Sequence, residues 1–191
     1  MNLEDYLFEV KMKGVSPKLE TLFNEAIKEV FSSAYFNKIE KDLAKKIGMK
    51  KVKLKDNKVA AYTMGSTIYV NEPYFESISP KKQMDYLLHE FIHILQKSKK
   101  FFLLNSFKEL NSLGIKLWKI VKKESKNPGK FLTNKDTPSH LINKYEVIAY
   151  LMNNSINWNE ISSDGRRQFL NLLKSSGLFN LSSDFWKKRL P

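Results

Sequence analysis

Cysteine is absent from the 191 residues. That excludes a disulfide scaffold, thiolate zinc fingers, iron–sulfur clusters and a cysteine nucleophile. Arginine is scarce: Arg166, Arg167 and Arg189 are the only arginines among 33 basic residues. Six prolines and seven glycines are too few for a collagen-like repeat or a Pro/Gly-rich linker. Uncharged apolar runs such as Phe101 to Leu104 fall far short of the ~20 residues that span a bilayer. The stretch MNLEDYLFEVKMKG has no apolar region of the kind a secretory signal needs. The expectation is a soluble, intracellular protein of a reducing compartment, cytoplasmic or packaged with a larger assembly, with no membrane partner.

Ample core material is present. With 42% hydrophobic and 13% aromatic residues, the chain can bury enough apolar surface to fold. Its length favours one domain. The net charge of +13 raises a nucleic-acid or acidic partner, but readers of phosphate and base edges usually rely on the planar arginine fork. Here lysine is spread along most of the chain beside 16 asparagines, a pattern that a solvated surface explains as well as a polyanion site does. No basic motif singles out such a partner.

The periodicity predicts an α+β fold in which helix dominates. Ser16-Pro17 reads as an N-cap with proline at the first helical position. Leu19, Leu22, Phe23, Ala26, Ile27, Val30 and Phe31 then recur at helical spacing. A second helix is expected from Tyr35 to Ile47, with Gly48 as its C-cap. Val52, Leu54, the Asp56-Asn57 turn, Val59 to Thr63, the Gly65-Ser66 break and Thr67 to Asn71 read as two or three antiparallel strands. Further helices are expected over about 80–98, 106–123, 138–153 and 164–174, with a short one near Phe185 and a loop from Lys126 to Pro138. We divide the single domain, 1–191, into a helical part (1–49), a core (50–155) and a helical C-terminal part (156–191).

One constellation carries chemistry. Residues 89–93 read His89-Glu90-Phe91-Ile92-His93, the H-E-x-x-H pattern in a helical context. A spacing of four puts both imidazoles on one helix face, where they reach a single metal. Glu90 is rotated about 100° from His89 on that helix, free to act as a general base on a metal-bound water. With three histidines and 13 glutamates, chance produces this pattern roughly 0.003 times per chain.

A zinc ion (Zn2+) needs a third protein ligand. The long form of the motif is excluded because Gln96 and Lys99 stand where a glycine and a third histidine belong. Two candidates remain downstream, His140 and Glu146. Glu146 is a lone acid among Val147, Ile148 and Leu151, expensive to bury unless paired or metal-bound.

On His89 to His93, with Glu146-Val147-Ile148-Ala149 downstream, the chain resembles the zincin metallopeptidases, and among them the gluzincin group, over roughly residues 60 to 155. The resemblance implies that His89, His93 and Glu146 are the metal ligands of one zinc per chain and that Glu90 is the catalytic base. It implies a zincin-like core with a small antiparallel sheet ahead of the motif helix. It also implies a substrate-binding edge strand, for which Thr67, Ile68, Tyr69 and Val70 are in place. His140, six residues before Glu146, falls where related enzymes carry a residue that steadies the oxyanion. Many gluzincins have an aspartate four residues after the glutamate; Tyr150 stands there, leaving Tyr150, Asp85 or a backbone carbonyl to orient the imidazoles. The expected function is hydrolysis of peptide bonds in a protein or peptide substrate. A binding or structural protein with a silent metal site, and a basic polyanion-binding protein, are the rival readings.

Overall fold

Ser16 and Pro17 open helix α1 (Pro17–Val30) as expected: the Ser16 hydroxyl accepts the Leu19 amide at 3.4 Å, satisfying one of the orphan donors of the first turn. Leu19, Phe23, Ala26, Ile27 and Val30 form its buried stripe. The computed structural model describes residues 12–30, 47–53, 59–97, 105–132 and 144–191. The expected helix from Tyr35, the Asp56-Asn57 turn, the first part of the expected 138–153 helix and His140 lie outside these residues.

The sheet is mixed, which corrects the antiparallel expectation. Strands β1 (Met12–Lys13), β2 (Gly48–Val52), β3 (Ala61–Met64) and β4 (Thr67–Asn71) lie in the order β1-β2-β4-β3. The antiparallel part is the β3–β4 hairpin, whose turn is closed by Gly65 at φ +63°. β2 runs parallel to both β4 and β1. β3 takes one side of β4 and β2 the other, in parallel register from Gly48↔Thr67 to Val52↔Asn71. Gly48 therefore starts a strand and is no helix cap; its amide donates to the Ser66 carbonyl at 2.9 Å.

The chain then turns into α2 (Glu72–Ser77) and the long α3 (Pro80–Lys97). Leu87, Leu88, Phe91, Ile92, Ile94 and Leu95 of α3 are buried, with Phe91 against Phe23 of α1 at a ring separation of 5.3 Å. α4 (Asn105–Glu124) buries Leu110, Leu113, Leu117 and Val121. The expected 126–138 loop begins instead with a short helix, α5 (Pro128–Leu132). Its signal is local: the Asn127 carboxamide oxygen accepts the amides of Gly129 and Lys130 at 3.0 and 3.2 Å, an N-cap with proline at N1.

α6 (Glu146–Met152) is short and nearly all apolar, and it packs on α3 and α4. Its end is tightly fixed. Asn154 adopts φ +57°, and the Ser155 and Asn154 amides return to the Tyr150 and Leu151 carbonyls at 3.0 and 3.3 Å, a Schellman-type stop. After a single 3-10 turn at Trp158–Glu160 come α7 (Ser163–Ser176) and α8 (Asp184–Lys187). Arg189 beyond α8 reaches back to the Met152 carbonyl at 2.9 Å, satisfying an orphan acceptor at the end of α6. Among the described residues no helix is long and apolar enough to cross a membrane.

Candidate metal centre

α3 supplies two of the convergent side chains because residues four apart share a helix face. Nε2 of His89 and Nε2 of His93 lie 3.0 Å apart, their rings nearly perpendicular with centroids at 4.6 Å. α6 supplies the third at its first residue. Oε2 of Glu146 is 3.3 Å from His89 Nε2 and 3.2 Å from His93 Nε2. Among the described residues these three form a group of side chains able to hold a metal ion.

The spacing fits that role. For bonds of ~2.0–2.1 Å, a tetrahedral ion separates neighbouring ligand atoms by about 3.3–3.4 Å, close to the three distances here. Hydrogen bonding alone satisfies the triangle poorly. If both Nε2 atoms carried protons toward Glu146, the two N–H groups would crowd each other at 3.0 Å. If either lacked its proton, one lone pair would be left facing the carboxylate. A cation at the centre uses all three lone pairs at once.

Electrostatics keep the carboxylate ionised. Burial pushes the Glu146 pKa up, but the hydrogen-bonding and charge influence of His89 and His93 beside it, whichever ring carries the proton that faces it, holds it far below the usual carboxylate range. Glu90, adjacent to His89, is buried at 7% exposure.

The partner that orients His89 is one the sequence reasoning missed. Nδ2 of the Asn153 carboxamide lies 3.2 Å from His89 Nδ1, while its Oδ1 is buried without a hydrogen-bond partner. Turning the amide through 180° brings Oδ1 onto Nδ1–H, gives the buried oxygen its donor and fixes the tautomer whose Nε2 lone pair faces Glu146 and His93. Tyr150 packs its ring edge-on against His89 at 4.9 Å, while Asp85 lies in an adjoining cleft of about 370 Å³ whose lining includes Tyr74, Lys81, Tyr86, Tyr150 and Asn153. Burial raises the Asp85 pKa, partly offset by Lys81 and Arg189. A signal for Asn153 existed: it follows Glu146 by seven residues, two helical turns, and so shares a face with it.

The strand expectation needs correction. Thr67, Ile68, Tyr69 and Val70 lie in β4, which is paired on one side with β2 and on the other with β3, leaving no free backbone edge for a substrate. Among the described residues the edge on that side is β3, which also packs on α3. No family model, curated protein or solved structure matches the chain.

Proposed function

We propose that the chain is a zinc-dependent metallopeptidase of the gluzincin type. The observation that carries this reading is the convergence of His89, His93 and Glu146 within 3.0–3.3 Å, with a glutamate directly beside the first histidine. The donor set, two imidazole nitrogens and one carboxylate oxygen without sulfur, suits a zinc ion with one open position. A bound zinc supplies Lewis acidity toward the scissile carbonyl and lowers the pKa of a coordinated water.

The chain's own residues do the rest. His89, oriented by Asn153, and His93 would hold the ion through their Nε2 lone pairs, and Glu146 would add one negative charge to the centre. Glu90 takes the proton of the attacking water and returns it to the leaving amine, one carboxylate serving as base and then as acid. The substrate is a protein or peptide, and β3, the edge strand on that side among the described residues, offers backbone groups for strand addition. A purely structural metal site has no need of a base beside its ligand, which separates this reading from that of a silent binding protein.

The test is metal-dependent hydrolysis of unstructured peptides by the purified chain, run beside Glu90→Gln. Cleavage that requires zinc and disappears in Glu90→Gln supports the proposal. A metal-loaded wild type that cleaves nothing across a diverse peptide set overturns the peptidase and leaves a metal-binding protein.

A further inference from the structure

We propose that Gly114, in the middle of α4, is a positioning residue of the metal centre. It sets how closely the segment carrying Glu146 approaches α3. The inference rests on the metal reading above.

Gly114 is buried. A Cβ placed on it would lie 2.9 Å from the Lys144 carbonyl oxygen, 3.6 Å from Gln96 Nε2 and 3.6 Å from Ile148 Cδ1. These neighbours belong to the two segments that carry all three ligands. Lys144 and Ile148 flank Glu146 by two residues on either side, and Gln96 is one helical turn beyond His93. One residue of α4 therefore touches both halves of the centre.

Magnitude decides which contact matters. The two 3.6 Å contacts are ordinary. The 2.9 Å contact is with backbone, so no rotamer change relieves it. A comfortable carbon–oxygen contact needs about 3.3–3.6 Å, so a methyl group would push Lys144 back by roughly 0.4 Å or more. Metal–ligand distances hold to about ±0.2 Å, and the push exceeds that. The glycine also runs against the propensity of its own helix, since alanine is favoured in a helix interior. Local preference asks for a side chain, and the approach of Lys144 forbids one.

The experiment compares the wild type, Gly114→Ala and Val121→Ala, a core truncation two turns further along α4. Each is titrated with Co2+ and Zn2+, its Co2+ visible absorption is recorded, and its metal-free form is melted by circular dichroism. We expect Gly114→Ala to keep a folded, cooperatively melting metal-free state, to lose about 10–100-fold in metal affinity, the range typical of changes beyond the ligands themselves, and to give an altered Co2+ spectrum. Val121→Ala should melt lower yet keep wild-type affinity and spectrum. Wild-type affinity and spectrum in Gly114→Ala would overturn the proposal, as would loss of its metal-free fold, which would make Gly114 a packing residue only. A wild type that binds neither ion would bring down the metal reading itself, a result distinguishable from either.

Discussion

Nδ2 of Asn153 meets Nδ1 of His89 at 3.2 Å across 64 residues of sequence, and turning the carboxamide over places its otherwise unpartnered Oδ1 there instead. A ligand imidazole whose second nitrogen is held in this way keeps its tautomer and its ring orientation. Asn153→Ala should lower zinc affinity by about 10–100-fold. Asn153→Asp, whose carboxylate offers Nδ1–H an acceptor whichever oxygen faces it, should hold affinity near the wild-type value. Competition with a chromophoric chelator measures both. Equal affinity in the alanine variant would remove Asn153 from the site.

Glu146 decides which kind of site this is. Glu146→Gln keeps nearly the same volume but removes the charge that draws the centre together. Its zinc affinity should fall by more than the ~10–100-fold expected for Asn153→Ala, with the helical circular dichroism preserved. His140→Ala should leave zinc occupancy nearly unchanged, although turnover slows if His140 steadies the oxyanion. Zinc lost in His140→Ala and retained in Glu146→Gln would transfer the third ligand to His140.

For Glu90 the expected pattern is the reverse of that for Glu146. Glu90→Gln should bind one zinc per chain with near-normal affinity and lose at least ~10²-fold in peptide hydrolysis. Near-normal turnover in this variant would mean that the base lies elsewhere.

Asp85 gives a pH dependence. Burial raises its pKa above the ordinary 3.8 in the folded chain. An acid whose folded pKa is raised costs nothing while protonated in both states. It opposes folding once the pH passes its unfolded value and rises through the folded one. Asp85→Asn should therefore leave the melting temperature unchanged near pH 3 and raise it relative to wild type at pH 7. The same difference at both pH values would contradict this account.

Gly165 near the start of α7 tests the packing between α4 and α7. A Cβ there would fall 2.6 Å from Glu124 Cβ and 2.7 Å from Ile161 Cγ1. Glu124 is tied to this turn from both ends: the Ser162 hydroxyl donates to its carboxylate at 2.7 Å and the Ser162 amide to its carbonyl at 3.1 Å. Gly165→Ala should cost about 1–3 kcal/mol through overpacking, read from denaturant melts, without altering metal affinity. A neutral or stabilising outcome would mean that the α4–α7 contact yields more easily than these distances imply.

Features that one or two turns of chain can specify were legible in the sequence. α1, α3, α4 and α7 follow from apolar spacing and, for α1, from the Ser16-Pro17 cap, and the β3–β4 hairpin follows from the Gly65-Ser66 break between two extended runs. His89 and His93 were legible because a spacing of four is itself a geometry. Glu146 stood out because an acid amid Val147, Ile148 and Leu151 is costly unless something holds it. The α5 helix escaped because its Asn127-Pro128 start lies in a stretch rich in loop-forming residues.

By itself the sequence determined two imidazoles on one face, a glutamate beside them and an isolated acid further on. These are consequences of helical period and of the cost of burying charge. Only the tertiary structure decided that the acid reaches the imidazoles to within 3.3 Å, that Asn153 stands at His89 Nδ1, and that, among the described residues, β4 is enclosed while β3 forms the edge. Strand order and contacts between segments depend on how whole faces pack, and residues 50 to 60 positions apart carry no periodic mark of their meeting. The same holds at Gly114, where helix propensity disfavours the glycine and the fold places a backbone carbonyl where a side chain would go.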